Sequence, residues 1–548
     1  MILTKTKRII SLLLTLVMLL GVVLTALTSC DFIENLFGGE KKEPMVDPID
    51  DNYRTFYQIF VGSFADANED GFGDIRGIIN NFDYLNDGDI NSGNDLGVQG
   101  IWLSPIFSSP SYHKYDAKDY YKLDWRFGEE KDLVELVNLC HSRNVILILD
   151  LAINHTSNQH QWFLEFKQAR INGDTTNKYY NYYSCATTAN KVNGRTYQKI
   201  AGVDCWYECN FSGDMPELNF DNPEVREEVL NVAKYYLDLG IDGFRFDAIK
   251  YIYYGDTNKS VAFWEWYMDE LREYKPDIYA VGECWSGDNE VVKYYDAMNC
   301  FNFSMAGGTG MVAQAAKGIN SVYSYAHYVA SYQSAAISDK RDDAMMISFL
   351  SNHDQDRIAG AFINDNFTKM AASLYLLTPG SPVIYYGEEI GMRGSRGGEA
   401  TDANRRLAML WGNEYTPKNP SGSTYSDEKQ IKTTVQDQIA DQNSIYTHYT
   451  KIIALRHKYP AIARGCYQAL TCGVPKLGGF IVEYNGEYIA IIHNTSSEEL
   501  SCDLSRTAIL NANNIKEIGD YVSSGKVTIN GNILTVPAYS TVILVECQ

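Results

Sequence analysis

The chain has 548 residues, 45% of them hydrophobic and 21% charged, which excludes a disordered chain and is too long for a single ordinary core. Its net charge is −22, and residues 1–29 hold only Lys5, Lys7 and Arg8, leaving 44 of the 47 basic residues against all 69 acids. That balance argues against nucleic acid as a partner, because nucleic-acid affinity rests on Lys and Arg, and it suits a neutral or cationic ligand.

In chain order, the first element is an address. Lys5, Lys7 and Arg8 precede the apolar run 9–27, a charged region followed by a hydrophobic one. The run ends in Leu27-Thr28-Ser29-Cys30, which resembles a bacterial lipobox. The resemblance implies a signal peptide over 1–29, cleavage before Cys30 and lipidation of that cysteine. The alternative is a transmembrane anchor with an incidental Cys; small residues before Cys30 and no basic flank after it favour the lipoprotein. Residues 30–52 read as a polar tether. The protein is therefore expected at a bacterial cell envelope, held to a membrane by lipid and facing outside the cytoplasm. No second apolar run reaches the ~20 residues that span a bilayer.

Eight strand-like runs follow: 53–60, 98–103, 145–151, 241–247, 278–283, 299–303, 345–351 and 382–386. Several are continuously apolar, as buried parallel strands require. Helical patterns such as 131–143, 223–239 and 261–274 separate them. Eight such units predict an α/β fold, a (β/α)8 barrel over 53–457 with its chemistry at the strand C-termini. Residues 155–219 lack a clean helix period and read as a subdomain inserted after the third strand. Beyond 457 the runs are short, strand-rich and separated by turns, which predicts an antiparallel β-sandwich over 458–548.

The loop after the first strand spaces Asp66, Asn68, Asp70, Phe72 and Asp74 at alternate positions, with Gly71 at the sharp turn of a calcium loop. Phe72 would give only its carbonyl. Gly77 stands where an EF-hand has its glutamate, so this is not an EF-hand. The plain alternative is an acidic turn without metal. Ten cysteines follow Cys30, but none forms paired CxxC motifs, so zinc is not expected and disulfide pairing stays open. Forty Tyr and eight Trp serve either packing or stacking on a polar ring such as a sugar.

The strand ends carry the chemistry. The third ends at Asp150, followed by Asn154 and His155; the fourth carries Arg245 and Asp247, two apart and so on one face. The fifth ends at Glu283 and the seventh at His353 and Asp354. Asp247, Glu283 and Asp354 thus converge on one mouth, each with a His or Arg close by. A cation beside Asp247 would keep it ionised.

These segments resemble the α-amylase family, glycoside hydrolase family 13. The resemblance rests on DLAINH (150–155), GFRFDAIK (243–250), GEC (282–284) and FLSNHD (349–354), with GVQGIWLSP (97–105), MPELN (215–219) and GEEIGM (387–392) in order. It implies a retaining mechanism with Asp247 as nucleophile, Glu283 as acid/base and Asp354 orienting substrate hydroxyls. It further implies that His155, His353 and Arg245 serve the cleavage subsite and that Tyr115 stacks on the sugar. Residues 66–74 resemble the single calcium loop of oligo-1,6-glucosidase-like members, which makes Ca2+ the expected cofactor. MPELN resembles members between the oligo-1,6-glucosidase and neopullulanase groups. Lys250-Tyr251 replaces the Lys-His of many amylases, which weakens Asn154 as a metal candidate. The implied activity is hydrolysis of internal α-1,4 bonds in starch and maltooligosaccharides. Neopullulanase-like action, maltogenic action, 4-α-glucanotransfer and a non-catalytic starch-binding role are the alternatives.

Overall fold

The computed structural model describes residues 51–547 apart from 91, 338–339, 398–400, 508–509 and 511–512. The signal, Cys30 and nearly all of the tether expected from sequence lie outside the described residues. No helix among the described residues is long and apolar enough to cross a membrane.

Seven parallel strands form one sheet: β1 (Phe56–Ile59), β2 (Gly100–Leu103), β3 (Ile146–Leu151), β4 (Gly243–Phe246), β5 (Tyr279–Gly282), β6 (Asn299–Cys300) and β7 (Val383–Tyr385). Their order is β6-β5-β4-β3-β2-β1-β7, sequential apart from β7 beside β1. The eighth position is filled by residues 345–351. This segment makes parallel bridges from Phe301 to Ile347 and from Phe349 to Val383 and so closes the ring. It was expected as a full strand. Instead its contacts to the neighbours are isolated bridges, with Ser381 N and Val383 N bonding to Met346 O and Ser348 O. The ring is a (β/α)8 barrel.

Two-residue alternation decides which side chains fill it. Phe56, Trp102, Ile148, Val281, Ile347 and Phe349 form a buried cluster inside the barrel. Their outward neighbours, such as Tyr57, Ile101 and Phe244, join the larger core under the helices. Gly243 shows how tight the interior is: a Cβ there would stand 1.9 Å from Tyr279 O. Helices at Glu130–Ser142, Pro223–Asp238 and Thr257–Tyr274 match the expected patterns within a few residues. Pro223 sits in the first turn of its helix, where the missing N–H costs nothing, and Asn222 caps it by accepting from Glu224 N.

The segment after β3 contains a three-stranded antiparallel sheet of Cys185–Ala186, Trp206–Glu208 and Tyr197–Lys199. It also contains a helix, Gln161–Asn172, that the sequence pattern did not announce. Trp162, Phe163, Phe166 and Ala169 are buried, whereas Leu164 and Ile171 are exposed, which blurs the apolar stripe. The C-terminal part has a five-stranded and a three-stranded antiparallel sheet around its own core, which includes Leu477, Ile481, Ile492, Leu534 and Val542. Its first strand begins at Cys466; residues up to Lys458 still belong to a barrel helix, and Ala461–Arg464 form a short one. All ten described cysteines are free thiols, with Cys185 against Cys205 and Cys472 against Cys502.

Candidate active site

The C-terminal ends of β3, β4, β5 and the 345–351 segment open onto one cavity of about 420 Å³, lined in part by Tyr115, His155, Asp247, Glu283, Asp354 and Arg406. The same alternation that fills the barrel builds this site. On β4, Gly243 and Arg245 point inward, and Asp247 follows on the same side. Arg245 is fully buried and lies among three carboxylates. Its Nη1 donates to Asp150 Oδ1 and to Asp247 Oδ1, both at 2.8 Å. Its Nη2 lies 2.8 Å from Glu283 Oε1, an ion pair approached off the hydrogen-bonding line. The indole of Trp102 lies against the guanidinium, 5.2 Å to the ring centroid.

Electrostatics follow from that arrangement. Burial pushes the Asp247 carboxyl above its ordinary value; Arg245 opposes the rise and Asp354 adds to it. Burial likewise raises Glu283, with Arg245 opposing and Asp247 and Asp354 adding. Asp354 behaves in the opposite way. Burial would raise it, but His353 Nε2 at 3.0 Å and Arg406 Nη2 at 2.7 Å hold it well below the usual carboxylate range. One carboxylate is therefore firmly ionised, while two are poised higher, which is the separation that acid and base roles need. Glu283 also receives Ala248 N at 3.3 Å. Ala248, next to Asp247, adopts φ 50°, a left-handed conformation that an alanine enters only under local constraint.

Tyr115 and the two histidines complete the floor. Tyr115 Oη donates to Asp150 Oδ2 at 2.8 Å and lies 2.6 Å from His353 Nε2. Its ring stacks on that of His353, with centroids 5.3 Å apart. Gln58, inward on β1, holds His353 Nδ1 at 2.8 Å. His155 is buried, which lowers its pKa to about 4, and its Nε2 has no protein partner. A neutral imidazole with a free nitrogen at a cavity wall is ready to meet a hydroxyl. Every sequence-predicted substrate and catalytic residue thus meets at one place. At the mouth, Phe211 and Trp285 are 45% and 47% exposed, large apolar faces left in solvent beside the cavity.

The alpha-amylase catalytic-domain model matches residues 58–465. The chain belongs to the alpha-amylase family. It is 33% identical over 507 residues to alpha-amylase 3 of Dictyoglomus thermophilum, covering 89% of this chain and 92% of that one. It is 28% identical over 527 residues to an oligo-1,6-glucosidase of Bacillus cereus, covering 82% and 91%. Among solved structures, Eubacterium rectale Amy13B superposes with a TM-score of 0.83 at 33% identity, covering 93% of this chain and 98% of that one. The protein is accordingly a glycoside hydrolase of the alpha-amylase type.

Several residues of this family member were not singled out from sequence. Arg406, Asp402, His113 and Phe211 line the cavity, but Arg406, His113 and Phe211 sit in irregular segments and Asp402 opens a four-residue 3-10 turn, so no period marks an inward position. Gln58 lies within the first strand-like run, 53–60, where no polar side chain was singled out. Asn154 is buried with its carbonyl accepting from Leu218 N and its amide beside the His155 ring, a structural role.

The 66–74 loop offers hard oxygen donors, as calcium prefers. Asp66 and Asp74 are buried; burial raises Asp74, the Gly77 and Ala67 N–H groups oppose the rise, and Asp66 and Asp70 add to it. Glu69 and Gly71 take left-handed backbone to close the loop. Among the described residues no group of three or more His, Cys, Asp or Glu side chains makes a metal cage. The amide oxygen of Asn68 and the Phe72 carbonyl would therefore be needed beside the aspartates. The donor chemistry suits Ca2+ on those terms.

Proposed function

We propose that the protein hydrolyses internal α-1,4-glucosidic bonds of starch and maltooligosaccharides by double displacement. The observation that carries the reading is Arg245, buried and in contact with both Asp247 and Glu283 at the base of the cavity. In a retaining glycosidase the two carboxyls stand about 5–5.5 Å apart and divide the work. An Asp247 oxygen attacks the anomeric carbon as the glycosidic C–O bond breaks. The Glu283 proton goes to the departing oxygen. Water then attacks the same carbon, gives its proton to Glu283 and frees Asp247. His155 and the Asp354–His353 pair hold sugar hydroxyls, and Tyr115 presents its ring to the sugar. Arg245 keeps the nucleophile ionised against burial.

Ca2+ held by Asp66, Asn68, Asp70, the Phe72 carbonyl and Asp74 would pin the loop after β1 and neutralise its carboxylates. The N-terminal pattern supports lipidation at Cys30 and a location at the cell envelope, outside the cytoplasm. The exposed faces of Phe211 and Trp285 support a glucan chain, rather than a lone sugar, across the mouth. The relatives include a 4-alpha-glucanotransferase of Thermotoga maritima, 31% identical over 354 residues and covering 62% of this chain, so transfer is the competing outcome. Asp247→Asn tests the assignment: it should keep the fold and abolish release of reducing ends from amylose. Turnover at the wild-type rate would overturn it.

A further inference from the structure

Two unfavourable features coincide one residue before Tyr115. Lys114 has φ 68°, the left-handed region that a side chain with a Cβ avoids. Its side chain is also buried, 2% exposed, with its charge drawn away from water. Neither feature helps stability by itself. A buried ion pair gains little net over apolar packing, and a strained backbone persists only where its surroundings over-determine it.

The surroundings show what is determined. Lys114 Nζ reaches Asp124 Oδ2 at 2.5 Å and Ser111 O at 2.8 Å, over the ring of Phe127. Asp124 is itself anchored. Its backbone N donates to Ile106 O just beyond β2, and Arg126 donates to it at 2.8 and 3.0 Å. The side chain of Lys114 therefore ties the 111–116 turn to the rim of the barrel. Within the turn, Lys114 N donates to Ser111 Oγ, and Asp116 accepts from Ser109 and Ser111. The next residue, Tyr115, is the group that touches both Asp150 and His353. Asp150 in turn shares Arg245 with Asp247.

We propose that Lys114 is a positioning residue whose ion pair with Asp124 holds Tyr115 Oη against Asp150 and His353, and through them orders the Asp247 and Asp354 carboxylates. The inference rests on the reading of this cavity as a glycosidase centre. It does not require the endo-acting specificity. The left-handed backbone aims the side chain inward, and the ion pair fixes the turn. Together they set the tyrosine before substrate arrives, so that the geometry is not left to binding.

The test is a double-mutant cycle on purified protein with maltoheptaose, wild type first. Absence of wild-type turnover would overturn the glycosidase reading and, with it, this proposal, whereas the outcomes that follow bear on Lys114 alone. With wild type active, Lys114→Met should lower kcat by about tenfold to a hundredfold with little change in KM, since misplacement near the reacting atoms costs rate steeply. Tyr115→Phe should lose a similar factor. The double variant should lose no more than Tyr115→Phe alone, because Lys114 acts through that hydroxyl. Lys114→Arg, which keeps the charge, should recover part of kcat. Wild-type kcat in Lys114→Met, or losses that multiply in the double variant, would overturn the proposal. Should Lys114→Met fail to fold, Lys114→Gly relieves the backbone and removes the same ion pair, and Asp124→Asn removes it from the other side. Both should show the same kcat loss, and wild-type kcat in either would overturn the proposal equally.

Discussion

Replacing Arg245 by Met removes the one cation that lowers the pKa of Asp247 among its described neighbours. The guanidinium lies 2.8 Å from an oxygen of each of Asp150, Asp247 and Glu283. Two unit charges about 4 Å apart in an effective dielectric near 20 interact by about 4 kcal/mol. Arg245 is shared among three carboxylates, so that attraction is divided among them, and its loss should raise the pKa of Asp247. The sign is set by chemistry. The nucleophile must be ionised, so activity falls on the acid side through the Asp247 titration, and a higher pKa moves that limb to higher pH. Glu283 also loses the cation that opposes its rise, so the alkaline limb, where the acid loses its proton, should move the same way. The assay is kcat/KM against pH on maltoheptaose, with folding checked by circular dichroism. Arg245→Lys, which keeps a charge, should leave the acid limb nearer wild type. A folded Arg245→Met protein with an unmoved acid limb would refute the claim that this arginine holds the nucleophile ionised.

Three further outcomes follow from the same geometry. Glu283→Gln should lower kcat on maltoheptaose about 10²- to 10⁴-fold, and far less on a nitrophenyl α-glucoside whose leaving group needs no proton; equal losses on both would remove Glu283 from the acid role. Chelation with EGTA should lower the melting temperature, and excess Ca2+ at about a hundred times its Kd should restore roughly 2.7 kcal/mol; Asp70→Ala should abolish that calcium dependence, and a melt indifferent to both would mean an acidic turn without metal. Intact-mass measurement of the membrane fraction should find a chain beginning at a diacylated Cys30, whereas a retained Met1 would refute the lipoprotein reading.

How much was legible in the sequence differs by residue. Asp247, Glu283 and Asp354 could be read because strand ends are marked by the change from apolar runs to polar residues. Arg245 could be paired with Asp247 because a strand repeats every two residues. The barrel interior follows the same rule, so Trp102 and Ile148 inside and Ile101 and Phe244 outside agree with the expected strands. Residues 345–351 have strand composition but bridge only at single positions, and hydrogen-bond regularity is a tertiary property that composition does not carry. Helix 161–172 escaped because Leu164 and Ile171 face solvent, against the usual stripe. Arg406 reaches Asp354 from an irregular segment with no periodicity, and its role exists only through closure of the barrel. Lys114 carried no sequence signal of its own; its burial depends on Asp124, ten residues away across a hairpin.

Several reactions share this centre, and subsite shape and water access decide among them. The most direct measurement is a product time course of the chain from residue 31, in calcium buffer, on amylose, pullulan and maltoheptaose. A spread of short α-maltooligosaccharides from amylose, with pullulan untouched, is the expected result. Panose from pullulan would contradict it in favour of neopullulanase-like action, and products longer than the starting heptaose in favour of transfer. Retention on starch without any turnover would contradict the catalytic reading itself.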